Sequence, residues 1–149
     1  MKFTFCFFIT LILLSACSPD KDPIDTITFE ADACFGTCPI FTMTIYENGK
    51  AEYDAEKYNT LNGVYHTVIK NQSLDSLHQL INNVNWPSIQ DNYTSDWSDQ
   101  PTYTTTLQFK SGRIKTIVDY GNSAPGTVLN IYTLLFSLRN SQAWSQNVR

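Results

Sequence analysis

The stretch Cys34-Phe35-Gly36-Thr37-Cys38-Pro39, running into Ile40-Phe41-Thr42-Met43-Thr44-Ile45-Tyr46 and then Glu47-Asn48-Gly49, decides the fold. Its middle segment is rich in β-branched and aromatic residues and reads as a strand. Asn48-Gly49 is the strongest kind of short hairpin signal, because a type I′ turn needs positive φ at both central residues. Lys50 to Tyr58 therefore returns antiparallel. Upstream, Ile27 to Ala31 alternates apolar and polar residues and reads as the first strand, with the cysteine loop joining it to the second.

The same signals extend outward. Asn62-Gly63 marks a turn and Val64 to Ile69 a fourth strand, so this half is a meander. Ser73 offers an N-cap to a helix over Leu74 to Val84, whose Leu74, Leu77, Ile81 and Val84 share one face. Trp86-Pro87 ends it. Ser88 to Pro101 reads as an ordered loop, since Tyr93 and Trp97 need somewhere to pack. Tyr103 to Phe109 and Ile114 to Tyr120 form a second hairpin about Ser111-Gly112, and Gly121 to Gly126 leads to a closing helix over Thr127 to Arg139. The expectation is an α+β fold, a mainly antiparallel sheet of about six short strands with two helices in the order ββββαββα. One apolar stripe on each helix predicts that each covers a sheet face.

The N-terminus is of another kind. Lys2 precedes an apolar run from Phe3 to Leu14, which has the length of a secretory signal and is too short for a membrane span. Leu14-Ser15-Ala16-Cys17 then resembles a bacterial lipobox; the bland alternative is an ordinary signal peptide with a chance cysteine. Residues 1–16 are expected to leave as a signal peptide, and 17–25 to form a lipidated N-terminus and tether. Residues 26–149 would be the single domain. Diacylglycerol on Cys17 plus an N-terminal acyl chain such as palmitate anchors firmly without a spanning helix. The expected location is the bacterial cell envelope, on the outer membrane, facing the periplasm or the cell surface. Asp20 and Asp22 follow Cys17 as acidic residues do where lipoproteins are sent to the surface.

Composition narrows the partners. Of 149 residues, 42% are hydrophobic, enough for one real core, and only 16% are charged. The formal net charge of −4 becomes more negative once Lys2 leaves. With no basic stripe, nucleic acid is excluded as a partner, and electrostatic adhesion to anionic lipid is disfavoured. The expected membrane contact is the lipid anchor.

With Cys6 in the signal and Cys17 lipidated, Cys34 and Cys38 remain as a pair in an oxidising compartment. Three residues between them, in a glycine-containing loop, permit a disulfide worth roughly 2 kcal/mol as a staple. A redox pair would want Cys-x-x-Cys at a helix N-terminus. A metal site would want two more ligands, and His66 and His78 fall on different elements. Free thiols are the remaining option. Neither a Gly-x-Ser-x-Gly elbow nor a phosphate-cradling glycine loop is present, so no catalytic residue, cofactor or metal is expected. Asp119 and Tyr120 stand before a glycine turn; Asp119 reads first as a cap on the following helix and second as a ligand contact. Asp91, Asp96 and Asp99 accompany Tyr93 and Trp97 without the spacing of a calcium loop. Asp119, Tyr120, Tyr93 and Trp97 are the candidate binding residues.

Three motifs carry a family resemblance. The Cys34–Pro39 loop before an aromatic-rich strand, Asp99-Gln100-Pro101 before a Thr-rich strand, and Val118-Asp119-Tyr120-Gly121 with Ala124-Pro125 resemble domain of unknown function 6438. The likeness spans roughly residues 25 to 140. Asn122-Ser123 departs from the small residues usual after Asp-Tyr-Gly, though Asn tolerates positive φ. The resemblance implies an extracytoplasmic protein, often a lipoprotein of Bacteroidetes-type bacteria, and supplies no activity. The expected function is a non-catalytic binding or envelope-associated module; the alternative is a thiol-disulfide protein using Cys34 and Cys38.

Overall fold

In a computed structural model, described over residues 22–146, the chain runs β1 (Ile24–Ala31), β2 (Ile40–Tyr46), β3 (Lys50–Lys57), β4 (Gly63–Val68), α1 (Asn71–Asn82), a 3₁₀ turn at Trp86–Ser88, β5 (Asn92–Thr94), β6 (Thr102–Phe109), β7 (Ile114–Tyr120) and α2 (Gly126–Ser141). Cys17 and the signal segment lie outside the described residues. One sheet holds all seven strands in the order β4-β3-β2-β1-β6-β7-β5. Gly49 takes φ +80° in the β2–β3 turn, and the two strands pair antiparallel from Ile45 opposite Ala51. The β6–β7 hairpin closes at Ser111-Gly112, with Gln108 opposite Ile114.

Three details differ from the sequence reading. A seventh strand exists: β5 lies within the segment read as a loop and pairs in parallel with β7, Tyr93 opposite Asp119. Three residues without a period carry no strand signal, so pairing alone makes it one. β1 begins at Ile24, three residues early, and Pro23 accepts the N–H of Lys110 at 2.9 Å, which shortens the expected tether. α1 starts at Asn71 with Lys70 at its N-cap and no side-chain cap; Ser73 sits in the first turn, its N–H bonded to the Lys70 carbonyl. Each helix covers the sheet, as its stripe predicts; α1 and α2 touch each other and pack on the same face.

Strand alternation explains the covered face. Ile27, Phe29 and Ala31 of β1, Phe41, Met43 and Ile45 of β2, and Ala51, Tyr53 and Ala55 of β3 are all buried. They join Leu77 and Ile81 of α1 and Val128, Ile131, Leu135 and Leu138 of α2 in one core. Phe29, fully buried, lies 5.3–5.8 Å from the rings of Tyr132, Phe136, Tyr103 and Phe41, a spacing at which aromatic pairs add to simple burial. The other face is polar. Thr44, Thr28, Thr106 and Thr116 form a row across four strands, with hydroxyl contacts of 3.3 Å between Thr28 and Thr44 and 3.2 Å between Thr106 and Thr116.

Candidate functional site

The three motifs, far apart in sequence, meet at one end of the sheet. β1 delivers the chain to the cysteine loop there, the β5–β6 connection crosses it, and β7 ends in it. Backbone bonds knit the loops: Phe35 N–H to Asp99 C=O at 3.3 Å, Asp32 N–H to Thr102 C=O at 2.9 Å, Gly121 N–H to Pro101 C=O at 3.0 Å, and Ser95 N–H to Tyr120 C=O at 3.0 Å. The Tyr120 hydroxyl accepts the Gln100 N–H at 3.2 Å. Cys34 and Cys38 form a disulfide with Cα atoms 5.7 Å apart. The bond closes a loop between two strands, not at a helix N-terminus.

Gly121 is required where these loops cross. Its φ is +78°, and a Cβ added to it would stand 2.6 Å from the Cβ of Ser95. Only glycine combines that left-handed backbone with so close an approach.

Asp119 is fully buried. Its two carboxylate oxygens accept the N–H groups of Ser123 at 2.7 Å and Ala124 at 3.2 Å, ahead of α2. These are charge-assisted bonds that fix the turn. Behind them, burial pushes the Tyr103 and Tyr132 hydroxyls up from the ordinary phenol range; for Tyr103 a hydrogen bond with Asn122 partly offsets this.

Of the four candidate binding residues, three are engaged in contacts within the protein. Asp119 holds the turn, Tyr120 supports Gln100, and the Tyr93 hydroxyl accepts the Gln90 N–H at 2.9 Å. Trp97 points outward, 78% exposed, and the structure adds Phe35, 87% exposed at the tip of the cysteine loop. Phe35 stood inside the family motif without being singled out. The signal that finds it is loop size, since a five-residue disulfide loop cannot bury its own phenylalanine. Phe35 and Trp97 thus stand on two knitted loops as a paired aromatic rim.

Other concave surfaces lie elsewhere. A cleft of about 540 Å³ near the β2–β3 turn is lined by Tyr46, Lys50, Glu52, His66, Val68 and the C-terminal segment at Trp144. There His66 Nδ1 is 3.7 Å from Glu52 Oε2, and the two are cross-strand partners. His78 lines a smaller cavity of about 150 Å³ beside Glu47 and Asn82. Among the described residues, no group of three His, Cys, Asp or Glu side chains is placed to hold a metal.

A family model described as a domain of unknown function, DUF6438, matches residues 25–139. No curated protein matches the chain.

Proposed function

This chain belongs to the DUF6438 family, and from that premise we propose that it is a lipid-anchored binding module of the bacterial cell envelope, attached through Cys17, with the Phe35–Trp97 rim as its contact surface. One observation carries the reading: Phe35 and Trp97, the two most exposed large apolar side chains among the described residues, occupy the end of the sheet opposite the one where the chain enters. Asp22 is fixed at the entering end, where its carboxylate accepts the Ser111 hydroxyl at 2.7 Å and the Arg113 Nε–H at 3.3 Å. β1 then runs eight residues to the rim, a rise of about 26 Å. An anchor at Cys17 therefore puts the rim on the side of the domain away from the membrane. Large apolar side chains held in the open on a braced scaffold are a common mark of a binding surface.

The anchor is tested by Cys17→Ser. The variant is expected in the soluble fraction, whereas the parent chain partitions with membranes; retention of the variant in membranes would sink the anchor. The contact surface is tested by using the chain as bait against envelope extracts, with Phe35→Ala/Trp97→Ala alongside. Bound material should fall with the double variant, and unchanged recovery would contradict the rim as the surface.

A further inference from the structure

We infer that the rim takes a cationic polypeptide, a strand or tail bearing Arg and Lys side chains; this rests on reading the rim as the contact surface. Beside Phe35 and Trp97 stand Asp32, Asp96 and Asp99, all exposed. The two knitted loops, 32–39 and 95–101, hold these three carboxylates and no Lys, Arg or His. Basic residues sit elsewhere. Lys110 and Arg113 flank the β6–β7 turn at the opposite end, and Lys57 pairs with Ile40 on the far side of the cysteine loop from Asp99.

Both halves of the rim select positive charge. An aromatic face attracts a guanidinium or ammonium through its quadrupole, and carboxylates accept the same groups, bidentately from Arg. An anionic polymer or anionic lipid headgroup would be repelled by Asp32, Asp96 and Asp99. A neutral glycan would use the rings and leave three carboxylates without a counterpart. The loops are also braced in advance, by the disulfide and by the Phe35–Asp99 backbone bond, so little ordering remains to oppose binding.

The test uses the full chain in detergent, with fluorescein-labelled octa-arginine and octa-glutamate as probes and a neutral chito-oligosaccharide as the rival ligand. Octa-arginine should bind, more weakly as salt rises, and octa-glutamate should not. Phe35→Ala/Trp97→Ala should weaken octa-arginine about tenfold with the melting temperature unchanged, since both rings face solvent. Asp96→Asn/Asp99→Asn should weaken it by a similar factor and flatten the salt dependence; Asn accepts the φ of +65° at position 99. Equal octa-arginine affinity in the aromatic variant would overturn the inference by reducing the attraction to general acidity. Ring-dependent binding of the glycan without binding of octa-arginine would overturn the cationic class and leave the contact surface standing. Binding of neither probe would overturn the cationic class, and the extract experiment above then decides the surface.

Discussion

Backbone bonds knit both ends of the sheet, and what is added to them differs. At the rim, a disulfide, cross-loop backbone bonds and a buried carboxylate on two amides fix three loops. At the entering end the backbone bonds, Lys110 N–H to Pro23 C=O and Glu47 N–H to Asp25 C=O among them, are joined by exposed side-chain contacts: Asp22 with Ser111 and Arg113, Lys110 with Glu47, and the Arg113 guanidinium 3.6 Å over the Phe109 ring. Exposed ion pairs contribute little and are screened by salt. Bonds to a buried carboxylate are costly to leave unmade. The difference teaches which end has a shape to defend: the end that carries Phe35 and Trp97 is the braced one.

Substitutions can break that contrast, and the largest effect is expected at Gly121. Gly121→Ala sets a Cβ against Ser95 at positive φ and should cost about 3 kcal/mol or more, read as a lower denaturant midpoint. Asp119→Ala follows. It strips the acceptor from the Ser123 and Ala124 amides and should cost about 2–3 kcal/mol in the same measurement. Cys34→Ser/Cys38→Ser should cost about 2 kcal/mol, read as a drop in melting temperature, and native thiol titration of the parent chain should find both cysteines blocked. Reversible reduction with the fold and stability intact would instead restore the thiol-disulfide alternative.

The smallest effect belongs to the entering end. Hydrogen bonds from Ser111, joined by Arg113, hold the Asp22 carboxyl below its ordinary 3.8. A carboxylate lowered on folding stabilises fully above its unfolded pKa, and that contribution disappears as pH falls through the folded value. Asp22→Asn should therefore lower the melting temperature slightly at neutral pH, less than any rim substitution, and the gap to the parent chain should close in acid below 3.8. A loss at Asp22 as large as at Asp119 would erase the contrast between the ends.

Much of this architecture was legible in the sequence, for local reasons. Asn48-Gly49 and Ser111-Gly112 announce their hairpins through glycines at φ +80° and +86°. Asn48, however, does not take the positive φ of a type I′ turn, and its turn closes instead from Gly49 N–H to Tyr46 C=O. An amphipathic stripe says that a helix buries one side; it does not say which face of a sheet receives it. Here one face receives both stripes. The rim was half legible. Trp97 stands out as a large aromatic in a polar loop. Tyr93 looks identical by that criterion, yet its hydroxyl is taken by the Gln90 amide, as that of Tyr120, at the end of a strand, is by the Gln100 amide. The Gln100 amide lies 20 residues before Tyr120 in the chain, a pairing that no local pattern encodes. Asp119, read first as a cap on the following helix, instead holds the Ser123 and Ala124 amides of the turn before it, and α2 has no side-chain cap.

The most direct test of the account places the rim relative to the membrane. In a Trp86→Phe/Trp144→Phe chain reconstituted in vesicles, Trp97 is the remaining indole. Acrylamide in solution should quench it strongly, and lipid-borne bromine should leave it unchanged. Quenching of Trp97 by the brominated lipid would put the aromatic rim at the membrane and contradict the proposed orientation.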